Sequence, residues 1–504
     1  MKLTAALLLI LGFSSAVHAL DVKSIDVRGI SLPIEPNIDQ AIEGYLGEPI
    51  TVDLLEQVKG SIFQTYSDAG YFARVTFPEQ DLTNGSIRIN VQELTLGDVT
   101  VSADDSVRFD PARAAKYFTR IIKKDAPLSI DDLDRQSTAL DGLNGVAAEQ
   151  SVSFPEDTTQ VDVEIKLEKT DLAEFSAQVD NFGTEATGRE RISIDAQYNS
   201  LLARGDRIVL SGVKSRGLSS RSVDFELPAG YRGERLVYGK SESSFDTTGA
   251  TSVHGKSMRD WARFRSGETF ILSSPFNLEV GVERSRTTDS ANENKKTTEQ
   301  YVAGSLAWVN SSSSAAANVS ARLILGDLDL SQSGSKENDA TTRKAHGDYK
   351  KLTINVTGQR KLSPQNSLTV TSACQFSSKN LDSMSEIELS GPSAVRAYDV
   401  AAVSVDQGCF AQTEFVHQQN EQRAFFGFFD LASGKTHQNT WDNWNNPGNE
   451  KNEFSIFGAG VGARLNIADQ FNLSITYAKR LGSCGGCAQS QAQDRLWAAL
   501  TVTF

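Results

Sequence analysis

Leu496-Trp497-Ala498-Ala499-Leu500-Thr501-Val502-Thr503-Phe504 ends the chain with an apolar residue at every second position and an aromatic last. A period of two belongs to an extended strand, whose successive side chains leave by opposite faces. Phe471, Leu473, Ile475 and Tyr477 alternate in the same way with Asn472, Ser474 and Thr476. Far upstream, Ile192, Ile194, Ala196 and Tyr198 alternate with Ser193, Asp195, Gln197 and Asn199. From Leu172 to the end this pattern replaces any helical period. One apolar and one polar face per strand fits a transmembrane β-barrel, with lipid outside and water within. A soluble antiparallel sandwich alternates similarly, but the strand length of about ten residues and the terminal aromatic favour the barrel.

The rest of the chain agrees with an exported membrane protein. Its 504 residues carry 50 Lys+Arg against 64 Asp+Glu, a net charge of −14. That balance excludes a nucleic-acid binder, which needs a basic face for phosphates. The only long apolar run lies at the N-terminus, so a polytopic helical membrane protein is excluded as well. Lys2, the apolar stretch Ala5 to Phe13 and Val17-His18-Ala19 read as a secretory signal peptide over residues 1–19. No Cys follows the cleavage site, so no lipoprotein anchor is expected.

Residues 20–170 carry a repeated β-α-α-β-β order. The first unit, 20–95, has strand Val22–Val27, helices near Ile38–Leu46 and from Thr51 or Asp53 to Ala69, then strands Phe72–Phe77 and Ser86–Val91. The second, 96–170, repeats it with strand Asp98–Val101, helices from about Pro111 to Ile122 and Asp131 to Leu143, and strands Glu149–Phe154 and Val161–Leu167. Pro111 stands where a first helical turn tolerates it.

The remaining stretch, 171–504, has room for sixteen spanning strands at ~10 residues each. Ser274-Pro275 and Ala468-Asp469-Gln470 are expected to be periplasmic turns. Thr287–Thr297, Ser331–His346 and Gln438–Asn452 are expected to be outer loops. An even strand number leaves both barrel ends in the periplasm, beside the N-terminal units.

The four cysteines are too few for a disulfide scaffold. Cys484 and Cys487, in Cys-Gly-Gly-Cys, lack the second ligand pair of a zinc site and read as a loop disulfide or free thiols. Cys374 and Cys409 fall on the outward phase of two strands separated only by a long loop, so those strands are neighbours. Directly opposed residues there have Cβ atoms ~4.5–5.5 Å apart, within reach of a disulfide Cys374–Cys409 at the base of the loop. No catalytic motif is present, and the His residues are scattered. No enzyme activity, metal or cofactor is expected.

Several segments resemble the two-partner secretion outer-membrane transporters of the hemolysin/hemagglutinin secretion type, in the superfamily whose periplasmic modules are called POTRA domains. Residues 66–93, with Pro78, Gln80 and Gly85, resemble the end of that family's first POTRA. Residues 179–191, with Asp180, Asn181 and Gly183, and Gly205-Asp206-Arg207 resemble its first barrel hairpin. Val395-Arg396-Ala397-Tyr398 looks like its Val-Arg-Gly-Tyr/Phe loop, with Ala397 where Gly is usual. Phe428-Phe429-Asp430-Leu431-Ala432 resembles the partner strand, and Gly458–Arg464 a late-barrel motif. The resemblance implies a 16-stranded barrel behind two POTRA domains, with a loop at about 376–407 folded into the lumen. It also implies that Arg396 meets Asp430 inside the barrel as a lock.

The function implied is export of an unfolded secreted exoprotein, recognised by the POTRA domains through its N-terminal secretion domain, with activation on export as a further expectation. The alternative is an outer-membrane barrel assembly factor, and a plain porin would need no periplasmic modules. Two POTRA units and the Val-Asp-Asn-Phe-Gly hairpin favour export. Expected partners are the exoprotein, outer-membrane lipids and the barrel assembly machinery during biogenesis, with the chain a monomer. Many family members begin with a plug helix. Here a strand starts three residues after the expected cleavage site, which leaves no room for one.

Overall fold

The computed structural model describes residues 20–504 apart from 157, 249–251, 272–273, 292, 311–313, 446–450, 469 and 483–492. The expected signal peptide, 1–19, and the pair Cys484–Cys487 lie outside the described residues.

The first module runs β1 (Ser24–Arg28), α1 (Glu35–Glu43), α2 (Val52–Asp68), β2 (Ala73–Thr76) and β3 (Ser86–Glu93). Its sheet has the order β1-β3-β2, with β1 parallel and β2 antiparallel to β3. Thr51 caps α2 by accepting from the Leu54 amide at 3.1 Å, which satisfies one of the otherwise unpaired first-turn donors. Leu54, Val58, Ile62 and Tyr66, four residues apart, form the buried face of α2 and share a core with Ile87 and Ile89. α1 begins three residues before the expected start, because Pro36 serves its first turn. Glu93 closes the module. Burial opposes its charge, but hydrogen bonds from Ser31, Leu32 and Tyr66 outweigh burial and hold the carboxyl below the usual carboxylate range.

The second module runs β4 (Thr95–Ala103), α3 (Pro111–Thr119), α4 (Ile130–Asp141), β5 (Val146–Ser153) and β6 (Gln160–Lys169), with sheet order β4-β6-β5. The chain divides into two compact units, and the division passes through this module. Residues 103–114, 138–148 and 167 onward belong with the barrel, and the rest of the module with the first. Within the barrel unit, Asn144 donates to Gly205 O and Glu226 Oε1, both at 3.2 Å, and Arg108 donates to Tyr198 Oη at 2.9 Å.

The barrel is closed and antiparallel, with sixteen strands, one of them broken into His254–Arg265 and Thr269–Ile271. It closes where Ser176–Asp180 pair with Ala499–Thr503. The terminal Phe504 exchanges backbone hydrogen bonds with Phe175. Among the described residues no helix is long and apolar enough to cross a membrane; the strands cross it.

Two expected connections are strand instead. Ser274 and Pro275 open the strand Ser274–Asp289 and pair with Ile271 and Phe270. Proline is tolerated there because a strand's first residues need not complete the ladder. Most of the expected outer loop Thr287–Thr297 also pairs, since the strands run to Asp289 and resume at Asn294. Polar side chains do not end a ladder that leaves the membrane for water. The stretch Ser331–His346 is an outer connection and carries the short helix Lys336–Thr341.

Candidate functional site

The chain between the neighbouring strands Asn366–Ser377 and Gln407–Asn420 folds back into the lumen. A polar lumen would not hold it by burial alone, and the wall beneath it is not polar. Leu389, Val395, Ala397, Tyr398, Val403 and Val405 of the loop are buried against Phe426, Phe428, Phe454, Ile456 and Ala478, all on inward phases. Each Val, Leu, Ile or Phe among them contributes roughly 1.5–3 kcal/mol when fully buried. Glycines make room for this contact. A Cβ on Gly458 would stand 2.7 Å from that of Ala397, and Cβ atoms on Gly460 and Gly462 would strike the rings of Phe428 and Phe426. These glycines explain the late-barrel motif: it is a floor for the loop.

Arg396 is the polar centre of the dock. Its Nε and Nη2 donate to the two carboxylate oxygens of Asp430 at 2.8 and 2.6 Å, and its own amide donates to Asp430 at 3.0 Å. Asp430 is 0 % and Arg396 6 % exposed, so water cannot substitute for either partner. The Arg396 Nη1 also reaches Glu414, whose other oxygen accepts from Arg464 at 2.7 Å. Two guanidinium groups thus meet two carboxylates, and the cluster is neutral. The Arg396 guanidinium lies over Phe428 at 3.6 Å, Trp497 donates to Arg396 O at 2.7 Å, and Gln412 donates to Ala394 O at 2.7 Å. The Arg396–Asp430 contact is bidentate, which adds geometric specificity to the charge pairing.

Further contacts hold the rest of the loop. Asp399 is bound by Arg495 and, at 3.3 Å, by Arg189. Toward the extracellular end, Asp382 meets Lys295 at 2.8 Å and Glu386 meets Arg343 at 2.7 Å. Asp406, fully buried, accepts from the amides of Leu381 and Gln438, both at 2.8 Å. Below the loop a polar cavity of about 380 Å³ is lined by Arg396, Glu414, Arg464 and Thr476, among others.

Cys374 and Cys409 stand directly opposite one another on the two strands that flank the loop, and the structure joins them in a disulfide with Cα atoms 4.1 Å apart. The other motif residues do not gather at this site; they shape turns. Asp180 accepts from the Phe182 amide and Arg191 Nε at 2.8 Å, and Asp206 from the Leu202 amide at 3.1 Å. A Cβ on Gly183 would stand 2.0 Å from Gly188 O, while Gly85 and Gly205 have φ of +76° and +74°. Gln80 exchanges hydrogen bonds with the Arg88 backbone, and Pro78 follows β2. Asn181 is more telling: its side chain pairs with Leu496 O and the Ala498 amide, extending the short seam between first and last strands.

Glu414, Trp497 and Asp399 belong to no site motif in the sequence, and Arg464 is legible only as the end of the late-barrel motif. Glu414 had a signal, since it shares the inward phase of its strand with Gln412.

A closed barrel behind β-α-α-β-β modules, its lumen occupied by a loop pinned through buried charge, defines a protein-translocating pore of the outer membrane. The model of the haemolysin secretion/activation protein ShlB/FhaC/HecB family matches residues 159–465, and that of the ShlB-type POTRA domain matches residues 20–93. The chain belongs to this family: it is a two-partner secretion transporter that exports a secreted partner protein, with its POTRA domains in the periplasm. The heme/hemopexin transporter protein HuxB of Haemophilus influenzae is 21 % identical over 92 % of this chain and 83 % of its own. CdiB from Escherichia coli shares the fold with a TM-score of 0.75 at 17 % identity, covering 98 % of this chain and 92 % of that one. BamA from Haemophilus ducreyi lacking POTRA domains 1-3 shares it with a TM-score of 0.54 at 14 % identity, covering 96 % and 100 %. The family match favours export over the assembly-factor reading.

Proposed function

We propose that the exoprotein crosses unfolded, entering from the periplasm after its N-terminal secretion domain is captured by the POTRA domains, and that the loop 378–406 is the gate it displaces. The observation that carries this reading is the burial of the Arg396–Asp430 pair in the path a chain would take. Removing one partner of such a pair leaves an uncompensated charge and costs about 3–5 kcal/mol, so the docked loop is a defined state rather than one of many. On this reading the signal peptide is 1–19, the POTRA domains are 20–95 and 96–170, and the barrel is 171–504. Capture would use strand addition at the sheet edges β2 and β5, which pair on one side only. The chain acts as a pore and a gate, without catalysis, as a monomer seated in outer-membrane lipid after insertion by the barrel assembly machinery. The disulfide Cys374–Cys409 limits how far the base of the loop opens.

Two measurements test the reading. Deleting the chain should remove one large exoprotein from the medium and leave other outer-membrane barrels at normal level; loss of many barrels would point to assembly instead. A fragment of residues 20–170 should bind the unfolded N-terminal segment of that exoprotein, and absence of binding would refute capture by these modules.

A further inference from the structure

The lipid-facing surface of the barrel carries a groove of about 860 Å³, within the roughly 300–1,000 Å³ typical of ligand sites. It forms because a small residue sits among large ones. Ala262 pairs with Tyr238 on one side and Val282 on the other, and Phe264, Leu323 and Leu325 stand around it. All of these residues are on outward phases, so the groove is filled by membrane.

Directly beyond the groove, toward the extracellular side, the same outward phase turns cationic. Arg284 and Arg286 follow Val282 on one strand, about 7 and 13 Å further along at ~3.3 Å per residue. Lys256 and Lys296 flank them on the neighbouring strands, and Lys240 stands one strand further on. Of the carboxylates on this phase, Asp260, opposite Arg284, lies 3.9 Å from Lys240; Asp329 lies 4.0 Å from Lys296; Glu242 is held by Arg221 at 2.7 Å; and Asp327 stands two strands from Arg284, beyond Thr298. Arg286 donates to Asn294 Oδ1 at 3.3 Å, and Arg284 makes no ion pair among the described residues. Like charges side by side on a strand repel, and an arginine facing lipid is unfavourable except near the interface. An anion at this level would relieve both costs.

A second groove, of about 600 Å³, lies among Phe415, Phe425, Val461, Ile475 and Tyr477. It lacks this arrangement: the cation above it on that strand is a single lysine, Lys479, with Asp494 opposite it in register. Apolar concavity is therefore not always coupled to a pair of arginines on this barrel.

We propose that the groove at Ala262 and the cations at Arg284 and Arg286 form one binding site for the phosphorylated, multiply acylated glucosamine lipid of the outer leaflet. Its acyl chains lie in the groove and its phosphates accept hydrogen bonds from the two guanidinium groups, in the bidentate geometry arginine offers phosphate. The extracellular position of the cations selects an outer-leaflet lipid over a glycerophospholipid of the inner leaflet.

The test is native mass spectrometry of the full-length protein in detergent, titrated separately with bisphosphorylated lipid A, its dephosphorylated form and phosphatidylglycerol. The wild type should bind bisphosphorylated lipid A in preference to both others. R284Q/R286Q should weaken that binding by about tenfold or more, since it removes both charge-assisted donors to the phosphates. A262W fills the groove without changing charge and should also weaken binding. Heat-shifted gel mobility confirms that each variant is a folded barrel. Undiminished binding by both folded variants, equal binding of the dephosphorylated lipid, or preference for phosphatidylglycerol would overturn the site.

Discussion

The two sides of the lumen are built by different rules. Under the loop, inward positions are Phe426, Phe428, Phe454, Ile456 and Ala478, with glycines between them and one neutral four-charge cluster. Across the lumen, inward positions form a ladder of solvated pairs. Arg259 meets Glu283 and Arg265 meets Glu279, both at 3.1 Å, while Tyr301 donates to Glu279 and Trp261 to Asp224, each at 2.8 Å. The first wall is a receptor for one segment of the chain itself. The second is a neutralised, wettable surface that, among the described residues, meets the loop at its extracellular end through Lys295 and Thr287, and is suited to contact with many passing sequences. A pore that must be closed at rest and unselective in transit needs both.

The comparison can be broken by spoiling the receptor wall. G458V places a side chain where Ala397 packs, and overpacking costs about 1–3 kcal/mol, a shift of roughly 5–150-fold toward the undocked loop. Single-channel recording should show a larger or longer-lived open conductance than in the wild type. An unchanged conductance would mean that the apolar wall does not hold the loop. A smaller effect is expected at the extracellular end. D382A removes the partner of Lys295 in a half-buried pair, and the loop should open about 1.5- to fivefold more often, within the few tenths to ~1 kcal/mol such pairs contribute. On the opposite wall, R259Q should change conductance and secretion by less than about twofold, because substitutions of partly exposed pairs fall within about 0.5 kcal/mol. A large effect there would erase the distinction between the walls.

Most of the architecture was legible because the barrel's period of two is set by the membrane, strand after strand. The repeated modules were legible from helix-start signals such as Thr51 and Pro111. Turn positions were less so: Ser274-Pro275 reads as a turn, but a ladder tolerates proline at its start, and the polar residues 287–289 still pair. At the site, Arg396 and Asp430 were named through family resemblance, and the opposition of Cys374 and Cys409 followed from strand phase. Trp497, Arg495 and Lys295 were illegible because each reaches the loop from a strand remote in sequence. Only barrel closure brings them there. The loop's apolar residues, Leu389, Val395, Val403 and Val405, have no period, since they pack as an irregular segment against a curved wall.

The central claim is that the loop, pinned by Arg396 to Asp430, is the gate of export. The most direct measurement is the amount of exoprotein in the medium from cells carrying R396A or D430A, with heat-shifted gel mobility confirming a folded barrel. The account predicts a sharp fall in secretion for both variants at normal levels of folded transporter. Secretion at the wild-type level in both would contradict it.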